Sequence, residues 1–219
     1  MEENHIHSDE CHDHDHDHNH NHESGIKAQY KWIFTLLFIP LCIFFMKPYI
    51  ARQVSYRGFT YIGNELYKEA VGQYKKAIFF NNKDLKSMNW LAYCYKMQND
   101  RENAIKTYNK MLTIDPENRN ALLNLGLVLG LNGKHEEAIA YFEKIRHLGP
   151  KNEDSSAINM LEPYQSALNM LSAYYERMGK PRKARDILLE LLKNYPDDKQ
   201  AKSKLKEIET RLNGLGSAN

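Results

Sequence analysis

Alanine recurs at positions 70, 104 and 138, a spacing of 34 residues, and each copy opens a similar stretch: AVGQYKKAIFFNN, AIKTYNKMLTIDP and AIAYFEKIRHLGP. Matching segments precede them, VSYRGFTY, MNWLAYCY and LLNLGLVL. A fourth copy, LNMLSAYYERMGKPRKARDILLELLKNYP, is displaced by 46 residues, so a 12-residue insertion falls between the third and fourth units. A fixed period constrains the fold more than any other property of this chain. One such unit cannot bury its apolar face alone, so units of this kind stack. Both halves of each unit carry apolar residues at helical spacing, which points to stacked helix pairs and an all-α chain.

The copies align when each is numbered from Ala51, Leu85, Arg119 and Gln165. The eighth position is small in all four: Gly58, Ala92, Gly126 and Ser172. The twentieth is alanine throughout (Ala70, Ala104, Ala138, Ala184), as two closely crossing helices require. The twenty-fourth is large, Tyr74, Tyr108, Phe142 and Leu188, and is expected to fill space between neighbouring repeats. Pro116, Pro150 and Pro196 end the second helix of their units, and Asn99, Gly133 and Gly179 suit a left-handed turn within them. The first copy departs from the pattern, with Asn82 in place of proline and Glu65 at the turn.

Period, small positions and breakers together resemble the tetratricopeptide repeat (TPR) family. The resemblance implies a right-handed α-solenoid with repeats at 51–84, 85–118, 119–152 and 165–198 and the insertion at 153–164, as a loop or a short helix ending near Pro163. After Pro196, the stripe Ala201, Leu205, Ile208 and Leu212 predicts a capping helix over 199–214, started by Asp197 or Asp198.

The overall net charge of +2 hides a division of the chain. Residues 1–26 hold eight carboxylates, eight of the ten histidines and no Lys or Arg, a net −8, which leaves +10 for the remainder. This polar tail lacks apolar periodicity and reads as disordered. The run WIFTLLFIPLCIFFM, 32–46, is uncharged, and with its Tyr, Trp and Lys flanks it reaches 21 residues from Tyr30 to Ile50. A bilayer core of roughly 30 Å needs about 20. The run has no small-x-small cleavage site after it and no small residue before Cys42, and it is apolar on every face. It therefore reads as one transmembrane helix over 27–50 and not as a signal peptide, a lipoprotein signal or a core helix. That predicts a single-pass protein, with the bacterial inner (cell) membrane as the expected site. Lys27 and Lys31 against Lys47, Arg52 and Arg57 leave the side of the array undecided.

Catalytic patterns are absent from the sequence. His135-Glu136-Glu137-Ala138-Ile139 starts like a zinc-protease motif, but isoleucine takes the place of the second histidine. No phosphate-binding glycine loop, nucleophile elbow or CxxC pair occurs, and Cys11, Cys42 and Cys94 lie too far apart for a disulfide framework. The basic residues lie on helix faces without interleaved aromatics, so nucleic acid is not an expected partner. No cofactor is required. The loaded motif is the tail: Cys11, His12, His14, His16, His18, His20 and His22, alternating with Asp and Asn, suit loose capture of Zn, Ni or Cu. The same imidazoles would cancel much of the −8 on acidification.

The TPR resemblance also implies a groove for a peptide or helix of a protein partner. The family's contact positions fall on Tyr56 and Phe59; Asn89, Trp90, Tyr93 and Met97; Asn120, Leu123, Asn124, Leu127 and Leu131; and Asn169 and Met170. Ser55, Phe59 and Trp90 stand where some members clamp a chaperone carboxylate, so chaperone tails are not expected. Two function classes follow: a membrane-anchored TPR scaffold, with bacterial cytochrome c maturation as a narrower version, or a metal-handling protein docked by its repeats. Self-association is left open.

Overall fold

The computed structural model describes residues 20–150 and 162–216, and all regular structure among them is helical. The chain divides into two compact units, Met1–Lys47 and Pro48–Asn219. Helix α1 (His20–Gly63) is continuous through the division. It starts inside the segment expected to be a disordered tail, and it joins the expected span to the first helix of the first repeat. In the first unit Trp32, Leu36, Leu37 and Phe45 are exposed apolar side chains. The helix is long and apolar enough to cross a membrane, by length and composition.

The second unit holds the end of α1 followed by α2 (Tyr67–Phe80), α3 (Leu85–Met97), α4 (Arg101–Ile114), α5 (Arg119–Leu131), α6 (His135–Leu148), α7 (Pro163–Arg177), α8 (Pro181–Asn194) and α9 (Lys199–Gly216). From α2 to α9 each helix packs on the next in sequence, and α3 also meets α5, and α5 meets α7. This is the right-handed α-solenoid of helix pairs that the period implied. Its core is a single layer between first and second helices. Ala70, Ala104, Ala138 and Ala184 are fully buried, as are Tyr74, Phe142 and Leu188, with Tyr108 nearly so. The large side chain lies first against its own repeat. A methyl added to Gly58 would stand 2.9 Å from Tyr74 Cζ, and Phe142 presses on Gly126 in the same way. Phe142 also reaches the following repeat, 6.1 Å from the Tyr174 ring.

Turn chemistry sets the period. The residue at the turn inside each repeat has positive φ: Glu65 (61°), Asn99 (60°), Gly133 (77°) and Gly179 (67°). Glutamate therefore takes a left-handed conformation that costs an L-residue about 1–2 kcal/mol. Between repeats the chain turns extended. Asn81, before the absent proline, adopts φ −136° and ψ 93°, the same dihedrals as Asp115 before Pro116. Each side chain accepts a bond from the amide two residues on, Lys83 N to Asn81 Oδ1 and Glu117 N to Asp115 Oδ1. The same Asx turn forms with a proline after it (Asp115) and without one (Asn81), so the turn does not depend on the proline. Asp84, Asn118 and Asp198 then cap the next first helix, each accepting from backbone amides of its first turn.

Residues 151–161, which include most of the insertion, lie outside the described residues, but the residues on either side are held. Arg119 donates to Leu148 O at 3.0 Å and to Gly149 O, and its guanidinium is 3.8 Å from Glu162. Tyr195 donates to the same glutamate. Pro163 occupies the first turn of α7 and starts that helix, while the choice between a loop and a short helix before it falls outside the described residues. Arg146 bonds Glu190 (2.8 Å) and Glu143 (3.2 Å), while Tyr164 and Tyr175 donate to those carboxylates, tying repeat three to repeat four. Burial first, then the bond to Glu143, pushes the Tyr175 phenol up to about 12, so it remains a donor at neutral pH. At the end, α9 buries Ala201 and Ile208, with Leu205 and Leu212 partly covered beside them.

Candidate partner-binding groove

The first helices carry their apolar core residues on one side and leave a second set at the solvent boundary. Tyr56 (70% exposed) and Phe59 (53%) stand on α1, Met97 on α3, Leu131 on α5 and Met170 on α7. Asn89, Trp90, Tyr93, Leu123, Asn124, Leu127 and Asn169 are half-buried, and Asn120 is exposed. Helical spacing puts Asn89, Trp90, Tyr93 and Met97 on one face of α3, and Asn120, Leu123, Asn124 and Leu127 on one face of α5.

Between repeats one and two this set forms a run of rings. Phe59 meets Trp90 edge to face at 5.5 Å, Trp90 meets Tyr93 at 5.7 Å, and Tyr93 meets Tyr67 at 6.4 Å. The Lys96 ammonium sits 5.3 Å over the Tyr93 ring, and burial lowers its pKa. Edge-to-face rings hold one another in place, so they lose little freedom when a partner covers them. Behind the rings, the Ser55 and Ser87 hydroxyls are hydrogen-bonded at 3.0 Å. Phe59 and Trp90 thus fill with packed rings the places where a carboxylate clamp would need amine and amide.

Two asparagines in the same register add polar capacity. Asn89 and Asn169 each hold Oδ1 enclosed without a hydrogen-bond partner, at the fifth position of repeats two and four. The Asn124 amide, by contrast, donates to Asn120 O at 2.9 Å. An enclosed amide oxygen without a donor is costly, and a donor brought to it by a small shift repays that cost.

Tyr67 lies outside the set named from sequence because it begins a second helix. Its register match is the signal that could have found it. Tyr67, Arg101 and His135 share one repeat position, and each reaches the first helix of the following repeat. Tyr67 meets Tyr93, Arg101 donates to Leu131 O (3.3 Å) and Asn132 Oδ1 (3.2 Å), and the His135 ring lies 5.5 Å from that of Tyr174. His135 is therefore an exposed ring at a helix start, set against Tyr174.

Among the described residues no group of three or more His, Cys, Asp and Glu is placed to hold a metal ion. Cys11, His12, His14, His16 and His18 lie outside those residues, and His20 and His22 fall in the first turn of α1. Cys94 is fully buried, and burial pushes its thiol up to about 11, so little thiolate exists at neutral pH.

Residues 98–153 and 167–198 match two models of the tetratricopeptide repeat. These two stretches carry TPR repeats. Among curated proteins, photosystem I assembly protein Ycf3 of Prochlorococcus marinus is 27% identical over 121 residues, 48% of this chain and 70% of that protein. Two solved structures share the TPR fold at low identity. PilF of Pseudomonas aeruginosa gives a TM-score of 0.61 at 16% identity, over 77% of this chain and 71% of its own. MamA gives 0.57 at 19%, over 78% and 87%. In TPR terms, Phe59, Trp90 and Tyr93 of the ring run occupy first-helix positions of repeats one and two, Tyr67 starts the second helix of repeat one, and the unpaired asparagines lie on the first helices of repeats two and four.

Proposed function

We propose that this protein is a membrane-anchored TPR scaffold that holds a protein partner on the solvent side of its first helices and performs no catalysis. The observation that carries this reading is the ring run Phe59–Trp90–Tyr93–Tyr67, exposed at Phe59 and half-buried along the rest, with the unpaired Asn89 amide oxygen beside it. Large aromatic surface supplies binding energy at low entropic cost, and an enclosed unpaired acceptor favours a partner that brings a donor. The role that the name of Ycf3 states, assembly of photosystem I, supports an assembly-factor version, in which a subunit is held until it joins its complex. The apolar segment of α1 supports anchoring at a membrane. Replacing both Trp90 and Tyr93 by alanine should weaken capture of the partner at least tenfold while circular dichroism shows helicity nearly unchanged. A large loss of helicity would make them core residues and refute the reading.

A second reading is favoured by the tail alone. Its histidines alternate with carboxylates and amides, so neutral imidazoles can gather on one Zn, Ni or Cu ion without imposing a geometry. The tail then captures or delivers ions while the repeats dock it to a transporter or metalloenzyme. Deleting residues 1–26 should abolish tight Zn or Ni binding in calorimetry, and equal binding by the truncated chain would rule the tail out.

A further inference from the structure

The second helix of repeat one has an outward face unlike its counterparts. Phe79 is 83% exposed, and its repeat equivalents Thr113, His147 and Lys193 are also exposed but polar. The register marks this position as a solvent position, so core packing does not explain a phenylalanine there. Phe80 braces the ring edge to face at 5.5 Å and is itself half-buried. Around Phe79 the charge is one-sided. Residues 68–86 carry Lys68, Lys75, Lys76, Lys83 and Lys86 against Glu69 and Asp84, whereas the equivalent stretch of repeat two, 102–120, carries three charges of each sign. Asp84 is already engaged as the cap of α3, accepting from Lys86 N and Ser87 N. Lys75 is exposed, with its Nζ 5.7 Å over the Tyr95 ring. Lys68, Lys75, Lys76 and Phe79 share one face of α2 by helical spacing, and Lys83 follows it.

An exposed ring set among lysines on an exposed helix face is the chemistry of a contact with anionic headgroups, the ring entering the interface and the ammonium groups meeting phosphate. By itself one ring with five lysines is a marginal membrane anchor, as a single acyl chain is. In this chain, however, the uncharged run 32–46 precedes repeat one directly. A segment already held in the bilayer raises the local concentration of lipid so that a weak contact closes. We infer that the Phe79 face of α2, with Lys75, Lys76 and Lys83, docks on anionic lipid headgroups and holds repeat one at the membrane surface. The inference rests on the anchoring reading, and its test separates the two.

The full chain is added to phosphatidylcholine vesicles or to phosphatidylcholine–phosphatidylserine vesicles. Flotation is measured first, and then lysine acylation is followed by mass spectrometry. Lys75, Lys76 and Lys83 should react about fivefold or more slowly on the anionic vesicles, matching the attraction of one lysine to such a surface. Lys110 and Lys144, register equivalents of Lys76, should react equally on both. Phe79→Asp should remove the protection without altering helicity, because the side chain makes no core contact, and added salt should weaken the protection. A chain that floats on both vesicles with equal acylation overturns the docking face and leaves the anchor intact. A chain that floats only on anionic vesicles, with the three lysines protected, sustains the docking face and overturns the anchor. Protection already present without lipid means that a second copy or another protein covers the face, and this too overturns the proposal.

Discussion

A methyl group added at Gly126 would stand 2.6 Å from Phe142 Cε1 and 2.9 Å from Cζ, closer than real carbon contacts come. Both atoms belong to a fully buried ring that also lies 6.1 Å from Tyr174, so the ring cannot retreat without disturbing the next repeat. Glycine is normally a liability inside a helix, costing about 0.5–1 kcal/mol against alanine, so Gly126 is kept by packing. Gly126→Ala should therefore destabilise the array by about 1–3 kcal/mol, against the gain that helix propensity would give. Thermal unfolding followed by circular dichroism checks the sign. An unchanged or raised midpoint would mean that Phe142 repacks freely.

Among the elements, α9 depends on a cap that is measurable by pH. Asp198 Oδ1 accepts from Ala201 N at 2.9 Å, and Oδ2 accepts from Gln165 Nε2 at 2.9 Å, linking α9 to α7. The Ala201 amide bond, foremost, holds the carboxyl below its ordinary range. Because the folded pKa is lowered, this stabilisation is complete above the ordinary aspartate range and is lost as pH falls through the folded value. Asp198→Ala should cost about 1 kcal/mol at neutral pH, and the gap between variant and parent should close in strong acid. Denaturant titrations at the two pH values read the difference, and a gap independent of pH would remove the carboxylate from the account.

The same cap shows what was legible in advance. Small positions, breakers and the α9 stripe could be read from sequence because each depends on a residue type at a fixed offset. Which of Asp197 and Asp198 caps could not, since both can accept. Glu65 and Asn82 looked like departures, yet Glu65 takes φ 61° like the other turn residues, and beside Asn82 the Asn81 side chain makes the same bond that Asp115 makes beside Pro116. Tyr67 escaped notice because the ring run crosses from a second helix to the next first helix, a contact between repeats that no single repeat displays.

At the scale of the whole molecule, the near-neutral +2 is a cancellation between an anionic His-rich segment and a basic array, separated by the apolar run of α1. In that run Leu37 (70% exposed) and Leu41 (50%) lie one helical turn apart, close to the middle of the uncharged stretch. A charge at the centre of a spanning helix costs about 2.5–3.5 kcal/mol on insertion scales, so two arginines there should defeat insertion of a segment this short. The parent chain should stay with the membrane pellet after alkaline carbonate extraction and run at full length. The Leu37→Arg, Leu41→Arg chain should pass to the supernatant with its TPR helicity intact, because neither side chain belongs to the repeat core. A parent chain shortened to begin near residue 50 would make the run a cleaved leader, and a double variant still resistant to carbonate would place the membrane attachment elsewhere in the chain.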